Sequence, residues 1–514
     1  MKKGLKILYS LMFSAVALAS CSESKMDEIN KDTDNVSPDA VAAKYAFTNI
    51  QNNLACVTVG GDAMFYVMTY TEQETGTYGQ MHETEIRTSS CYNSTTFNNS
   101  WYYLYFHLQE LKLIEAKCGE GGTDEGSLFN LGIAQVLRAL YMGILTDNWG
   151  DVPWSQALNV EEYFQPELDS QESIYEDLFA NLEAGIDNLE SGEYGDIPLD
   201  DAQDMIYGQY SSVSGTASRA EAYIKFAYSL KARHLMRLSY VNNYSSTDYD
   251  AVIAAAQNGF TSSDDEAKIS AFNGVSSITP YASFYDARDY LSLSESFVKK
   301  YDERNDPRYT QHAATSAATG STTKYLEGAA PNGTAPESAA YYSITTSCFD
   351  GAAPVMFMSY HELMFIVAEA YARKGDLTNA YAALETAVTN AMVKTGNIAT
   401  RVYGNTVITA DAITTYLDDE VKPRFDVDAI QEIAIQKYLG LYQDGETLET
   451  YSDMRRQMAM GVDFGLENPL NASYYPHRLP YGSDDVTCNN YVKDAFGDGT
   501  YVYSEPVWWA GGTR

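Results

Sequence analysis

Apolar side chains recur three and four positions apart along several long segments of the chain. From residue 131 onward this spacing aligns Ile133, Leu137, Leu140 and Ile144 on one side of a helix. Two later segments repeat the pattern, with Ile174, Leu178, Leu182, Ile186 and Leu189 in the first and Ala222, Phe226 and Leu230 in the second. Such a period is typical of amphipathic α-helices, so the sequence predicts a mainly α fold.

One segment predicts two helices joined by a turn. It reads "SYHELMFIVAEAYARKGDLTNAYAALETAVTNAM", with Gly375 and Asp376 at the turn. Small residues such as Ala380 and Ala387 line the second helix and let the two helices approach closely. The unit resembles a tetratricopeptide repeat, whose helix pairs stack because a single pair cannot bury its apolar face. We therefore expect a scaffold of such pairs.

Long stretches rich in Gly, Ser, Thr, Asn and Tyr separate the periodic segments. They cover residues 60–99, 244–290, 313–352 and 461–514. Loops of this length in a compact domain are usually functional or disordered. The chain has 42 Tyr but only 5 Trp and 19 Phe, and the aromatic content of these stretches favours ordered structure that faces a partner. The prediction is a helical scaffold with large irregular, loop-rich insertions.

The N-terminus predicts export and a lipid anchor. Lys2, Lys3 and Lys6 flank the short apolar run "ILYSLMFSAVALA", which stops at Cys21. This is the pattern of a signal peptide, and the run is too short to span a bilayer. Because "LASC" resembles a bacterial lipobox, we expect a signal peptide over 1–20 and lipidation of Cys21; an ordinary secreted protein is the alternative.

The segment after Cys21 is polar, mostly charged and without an apolar period. We predict a flexible tether over 21–40, followed by a single domain over 41–514, because no linker divides the rest of the sequence. Lipidation would then be the only attachment to a membrane.

The overall charge excludes one class of ligand. The 514 residues carry 34 basic and 70 acidic side chains, for a formal net charge of −36. Nucleic-acid binding requires a basic surface, so no nucleic-acid partner is predicted. The acidity fits an exposed, soluble body and does not identify a substrate.

The sequence offers no metal, cofactor or catalytic motif. The cysteines other than Cys21 are widely spaced, without a CxxC pair, so neither a disulfide framework nor a zinc site is predicted. His361-Glu362 lacks the second histidine of the H-E-x-x-H motif. "GVSSIT" lacks the second glycine of a serine-hydrolase elbow. A carboxylate pair for glycoside hydrolysis stays open, but no motif surrounds one, and no enzyme is predicted.

Two loops combine aromatic rings with polar side chains. The first offers Tyr78, Arg87, Tyr92, Phe97 and Asn98, and the second offers Tyr281, Tyr285, Asp286 and Tyr290. Sugar recognition uses an aromatic face for the C–H groups and amides, carboxylates or guanidinium groups for the hydroxyls. We predict ligand contacts among these residues, with packing inside the loops as the alternative for each.

Other conspicuous residues are predicted to be structural. Trp101, Tyr102 and Tyr105 have helical spacing and are assigned to the core. Trp149-Gly150-Asp151 and Pro153 predict a tight turn at a helix end. Internal ion pairs are expected for Arg455-Arg456 and for Lys231 and Arg233. Trp508-Trp509 either caps a core or faces a partner.

Six segments resemble, in order, the SusD/RagB family of outer-membrane nutrient-binding lipoproteins, and its second subfamily most. They read "SWYYLYFHLQELKLI", "RALYMGILTDNWGDVPWSQAL", "AYIKFAYSLKARHLMRLS", "YDERNDPRY", "EIAIQKYLGLYQDGETLETYSDMRRQ" and "PHRLPY". They lie between residues 95 and 495. The resemblance therefore covers most of the chain.

The resemblance implies a SusD-like fold, with tetratricopeptide-type helix pairs and a loop-rich half that carries the ligand site. It also implies a non-catalytic surface lipoprotein that binds oligosaccharide. This protein would act as the lid of a SusC-like TonB-dependent transporter in the outer membrane and face the cell exterior. A peptide-binding member of the family and a protein-binding adhesive lipoprotein remain alternatives.

Overall fold

The computed structural model describes most of the chain beyond the N-terminus. The described residues are 25–26, 40–87, 95–336, 341–404, 408–467 and 475–513. The chain divides into two compact units, Met1–Ala42 and Ala43–Arg514. The predicted signal peptide, Cys21 and nearly all of the predicted tether lie outside the described residues.

Helices make up most of the second unit, which confirms the prediction of a mainly α fold. In chain order they are α1 Lys44–Asn53, α2 Asp62–Tyr70, α3 Gly79–Glu85, α4 Asn98–Cys118, α5 Leu128–Trp149, α6 Gln171–Glu190, α7 Thr216–Arg237, α8 Asp248–Gln257, α9 Pro280–Ala287, α10 Glu295–Asp302, α11 Tyr309–His312, α12 Ser316–Thr319, α13 Tyr360–Lys374, α14 Leu377–Tyr403, α15 Ala410–Tyr416, α16 Lys422–Val427, α17 Ala429–Gly440, α18 Thr447–Ala459, α19 Ser483–Cys488, α20 Asn490–Phe496 and α21 Tyr501–Ser504. Short π-helical segments, Leu54–Val59 and Leu417–Val421, extend α1 and α15.

The strands are short and connect distant parts of the chain. They are β1 Glu74–Gly76, β2 Val152–Pro153, β3 Leu168–Asp169, β4 Ala267–Ile269, β5 Leu291–Leu293, β6 Ala313–Ala314, β7 Ile344–Thr345 and β8 Val355–Met358. Within the described residues they form two-stranded antiparallel sheets that pair β1 with β5, β2 with β3, β4 with β8 and β6 with β7. The sheets therefore tie the loop-rich regions together.

Consecutive long helices pack side by side to form the scaffold. Helix α5 packs on α4 and α6, α7 packs on α6 and α8, and α13 packs on α8, α14 and α17. The contact between α13 and α14 uses small side chains, and Ala380, Ala387 and Ala391 are buried there. This is the close approach that the alanine pattern predicts.

Local sequence determines several helix ends. Helix α13 ends at Lys374, and the Asp376 side chain accepts a hydrogen bond of 3.1 Å from the Asn379 amide at the start of α14. Such side-chain caps satisfy the free amides of a first turn. Helix α5 ends at the predicted turn, where Gly150 has φ +84°, a conformation that glycine adopts without strain.

Most basic residues of the predicted ion pairs are buried in the core. Arg456 binds Glu369 and Asp453 at 2.6 and 2.7 Å, and Arg233 binds Glu362 at 2.6 Å. Arg455 differs from the prediction, because its guanidinium donates to the backbone carbonyls of His477 and Asp147.

The one described helix that could cross a membrane by length and composition is α5. Most of its central residues are buried against neighbouring helices. A long apolar helix that is covered by the protein is a core helix. Its hydrophobicity is therefore explained by the fold.

Candidate functional site

The two predicted loops meet at an exposed pair of tyrosines. Tyr78 precedes α3 and is 43% exposed, and Tyr290, just before β5, is half-buried. Their ring centroids are 5.3 Å apart. The Thr77 amide donates to the Tyr290 carbonyl at 2.9 Å, which continues the pairing of β1 with β5. We name this exposed tyrosine surface, Tyr78 and Tyr290, the tyrosine pair.

A chain of aromatic contacts anchors the tyrosine pair to the core. The ring of Phe284 in α9 lies edge-on to Tyr290 at 6.4 Å and stacks on Phe65 of α2 at 4.2 Å. Phe65 is buried. Rings held in this way lose little further freedom when a ligand binds, so the surface is preorganised.

Charged groups lie close to Tyr290 in the chain. Asp286 is exposed on α9, and Lys324 donates to the nearby Asp289 carboxylate at 2.7 Å. Of the nine loop residues predicted to contact ligand, Tyr78, Asn98, Asp286 and Tyr290 have surface available, and Asn98 lies apart from the tyrosine pair. An exposed aromatic face beside carboxylate and ammonium groups suits a polyhydroxylated ligand.

Tyr281 and Tyr285 lie beneath the surface. They are only 1% and 5% exposed, and their hydroxyls donate to the Glu74 carboxylate and the Leu291 carbonyl. Burial raises the pKa of both hydroxyls well above the ordinary value and also raises the pKa of Glu74. The structure gives these tyrosines a packing role in the loop, because α9 presents their side to the core.

The remaining predicted residues are also turned inward or lie elsewhere. Phe97 is buried, with its ring edge-on to Trp149 at 6.5 Å. Arg87 is buried over the Tyr70 ring and donates to the Glu85 carbonyl at 2.7 Å. Tyr92 lies outside the described residues.

Asn98 borders a second aromatic surface, on the outer side of α4. A cleft of about 570 Å³ lies between α4, the loop after β2 and α19. Its aromatic lining is Trp101, Tyr102, Tyr103, Tyr105 and Phe106. We name it the α4 cleft.

The assignment of Tyr102 to the core is wrong. Tyr102 is 57% exposed and Phe106 is 43% exposed, whereas Trp101 is 4% exposed. Adjacent positions on a helix point about 100° apart, so Trp101 and Tyr102 cannot share a face. The exposed spacing of 102 and 106 is the signal that would have found the cleft.

Trp101 forms the floor of the α4 cleft. Its Nε1 donates to Asp485 at 2.6 Å, and its ring packs against Trp149 and Tyr481 at 5.4 Å each.

Trp509 is buried as well, with its Nε1 donating to Asp147 at 2.9 Å. The C-terminal Trp509 therefore caps the core.

Gly482 lies directly against Trp101, and we expect Gly482→Ala to disturb the cleft. An added Cβ would lie 2.3 Å from the Trp101 ring, so the indole must move. Overpacking of this kind costs about 1–3 kcal/mol. Urea unfolding should show that loss, together with a changed tryptophan emission. Gly121→Ala would be a poor control because its φ is +77°, whereas Gly328→Ala meets no atom within 4 Å and should leave the emission unchanged.

Metal and thiol chemistry have little support in the part of the chain that the structure describes. No group of three or more His, Cys, Asp or Glu side chains there is arranged around a metal site. Burial lowers the pKa of His312 to about 3 and of His477 to about 4, so both are neutral. Burial also raises the pKa of Cys118 to about 12, which leaves its thiol unreactive.

Comparison with known proteins identifies the class of protein to which this chain belongs, the helical binding proteins of the outer membrane. The family model described as "Starch-binding associating with outer membrane" matches residues 37–481. The chain belongs to this family, the SusD-like_2 family. A search of curated proteins gives no significant match.

Solved structures agree with this assignment. A SusD/RagB family protein from Bacteroides thetaiotaomicron is 36% identical, with a TM-score of 0.84, over 92% of this chain and 100% of that chain. A chitin-binding protein (19% identity, TM-score 0.69) and a SusD homologue from Bacteroides fragilis (21% identity, TM-score 0.70) each align over 92% of this chain and 100% of theirs. These last two likenesses concern the fold alone.

Proposed function

We propose that the protein is a cell-surface receptor that binds neutral oligosaccharides and passes them to a TonB-dependent transporter of the outer membrane. A lipid on Cys21 would hold it at the membrane. Membership of a family described as starch-binding supports the ligand class. The transporter, the lipid and the outward orientation rest on the family resemblance.

The main observation that supports the location of the ligand site is the exposed tyrosine pair. Its rings are fixed from below by Phe284 and Phe65, so they offer a stable apolar face at low entropic cost. Asp286 is exposed on α9, four residues before Tyr290 in the chain, and its carboxylate can accept hydrogen bonds from sugar hydroxyls. Tyr281 and Tyr285 support this surface from the core.

A binding role without catalysis fits the position of Glu74, a carboxylate close in the chain to Tyr78. Glu74 of β1 is buried, and its carboxylate accepts hydrogen bonds from Tyr281, Tyr442 and Gln443. A glycosidase needs two carboxyl groups facing each other across the sugar bond. Burial beneath tyrosine rings keeps Glu74 away from any bound sugar, so its role is to hold the loop.

Calorimetric titration of the full-length chain tests the proposal. Maltoheptaose and chitohexaose serve as starch-type and chitin-type probes. We expect saturable binding of at least one probe, weakened tenfold or more by Tyr78→Ala combined with Tyr290→Ala. Tyr45→Ala is the matched control, because Tyr45 is also exposed (56%) but lies on α1.

Different results would overturn the function, the site or the kind of cargo. A protein that binds neither probe, nor any other neutral glycan of a broad panel, is not a glycan receptor of this kind. Equal losses from the paired substitution and from Tyr45→Ala would show that the tyrosine pair is not the site. Binding of peptides instead would assign the same surface to peptide cargo.

A further inference from the structure

The α4 cleft has the size and preformed walls of a ligand site. Its volume of about 570 Å³ lies within the range of about 300–1,000 Å³ that small-molecule pockets occupy. None of its lining residues belongs to the tyrosine pair. It is therefore a separate feature that the proposed function leaves unexplained.

Side-chain bonds hold the far wall of the cleft in place. The amides of Trp154 and Ser155 both donate to Asp169, at 3.0 and 2.8 Å. Farther along the loop, Asn489 donates to the Pro166 carbonyl at 2.8 Å. The wall is anchored at both ends, so the cleft is already formed before a ligand binds.

The backbone of this wall is strained at one lining residue. Leu158 has φ +61°, a left-handed conformation that is rare for a leucine and costs of order 1–3 kcal/mol. Lys112 of α4 donates to its carbonyl at 2.8 Å and joins the wall to the helix. A strained residue persists only where the surrounding structure holds its backbone in place. Such residues are common in segments that clamp a ligand.

The inner wall presents two rings side by side. Tyr102 and Phe106 are 6.0 Å apart with planes inclined by 23°, because they lie one helical turn apart on α4. Their exposed faces form a platform of two nearly parallel rings. Such faces attract the C–H surfaces of sugar rings.

Hydrogen-bonding groups around the platform are available. Within the described residues, the side chains of Gln109 and Asp484 and the hydroxyls of Tyr102 and Tyr103 make no hydrogen bond, although all four line the cleft. Together they offer amide, carboxylate and hydroxyl groups to a ligand rich in hydroxyls. Among the described residues that line the cleft there is no lysine or arginine, which disfavours an anionic ligand.

We propose that the α4 cleft is a second saccharide-binding site, which takes a short neutral segment of an oligosaccharide. Tyr102 and Phe106 stack on its sugar rings, and Gln109 and Asp484 bind its hydroxyls. The inference extends the proposed function, since both surfaces bind saccharide, but the two share no residue and each stands or fails alone. Two sites on one molecule strengthen the retention of a long glycan through effective concentration.

The test titrates maltoheptaose and chitohexaose into four forms of the full-length chain. These are the unchanged protein, Tyr102→Ala with Phe106→Ala, Tyr78→Ala with Tyr290→Ala, and Tyr45→Ala as the control. We expect the α4 substitutions to weaken binding of at least one probe tenfold or more. The protein that lacks only the tyrosine pair should retain a saturable event, and all forms should unfold at the same urea concentration within error.

The outcomes separate this proposal from the previous one. If the α4 variant binds both probes like the unchanged protein, the cleft is not a saccharide site, whatever the tyrosine pair does. If only the α4 variant loses binding, the cleft is the site and the tyrosine pair is not. Tight binding of choline that depends on Tyr102 would instead assign the rings to a cationic ligand and overturn the proposal.

Discussion

Arg456→Met is expected to destabilise the protein by about 3–5 kcal/mol. The guanidinium is fully buried between Glu369 and Asp453 and donates to both carboxylates. Its charge helps to hold the pKa of each of these acids below the ordinary range, against burial, which raises it. Methionine fills much of the volume but leaves two buried carboxylates with one positive partner fewer.

Urea unfolding monitored by circular dichroism measures this effect. The matched control is Lys422→Met, which removes an exposed ion pair with Asp426 on α16 and should change stability little, as surface pairs contribute little. A second variant, Arg456→Met with Glu369→Leu, should recover part of the loss, because it removes one of the two carboxylates that lose Arg456. Asp453 keeps Lys437 at 3.2 Å, and Arg373, which also pairs with Glu369, keeps Gln457 at 2.9 Å. A loss as small as that of the control would contradict the ion-pair account of this core.

Helices with a clear apolar period are predictable from the sequence, whereas uniformly apolar ones are not. The unit of α13 and α14 has its turn at Gly375-Asp376, as the local signals indicate. Helix α2, with the sequence "DAMFYVMTY", lies in a stretch that was predicted to be irregular, and that prediction is wrong. Its residues are buried on nearly every side, so they carry no amphipathic period.

At the candidate sites, the local sequence also does not show which side chains reach the surface. The pairing of β1 with β5 joins residues more than two hundred positions apart, and no local pattern encodes it. The sequence therefore indicates the two tyrosine loops but not which rings turn outward. Tyr78 and Tyr290 reach the surface, whereas Tyr281 is held inside by Glu74.

Neighbouring residues also diverge where the fold places them differently. Arg455 and Arg456 look equivalent in the sequence, yet Arg456 forms ion pairs while Arg455 stacks on Tyr451 at 4.0 Å and binds backbone carbonyls. The helical rotation between adjacent positions separates them. Charge and composition alone cannot resolve such a difference.

Acidic groups of two kinds contribute to the dependence of stability on pH, together with two histidines. Burial raises the pKa of Glu85 to about 7 and the pKa values of Asp204 and Asp444 to about 6. Burial would also raise the pKa of Glu446, but the charges of His361 and Lys394 outweigh it and lower the pKa to about 2. The first three carboxylates weaken the folded state when ionised, whereas the ionised Glu446 strengthens it.

His312 and His477 act in the opposite direction, because burial lowers their pKa values to about 3 and about 4 and the unfolded state, with a histidine pKa of about 6.5, binds protons first as the pH falls. We therefore expect the free energy of unfolding to change less between about pH 4 and 7 than the carboxylates alone would change it. For Glu85, Asp204 and Asp444 the penalty is complete above the folded pKa and disappears below the unfolded pKa of about 4, so acidification from pH 8 removes the penalty of these three groups. Below about pH 4 the contribution of Glu446 is lost as its carboxylate is protonated. Urea unfolding from pH 3 to 8 measures the profile.

Asp444→Asn isolates one of these contributions. Asp444 is buried, neither of its carboxylate oxygens has a hydrogen-bond partner, and its φ of +52° suits asparagine. A difference of two pKa units corresponds to about 2.7 kcal/mol, so the variant should gain up to that amount at pH 8 and nothing at pH 4. Repulsion within so acidic a chain also favours acid stability, but that repulsion acts on both proteins almost equally. An equal gain at both pH values would therefore refute the assignment to the Asp444 carboxylate.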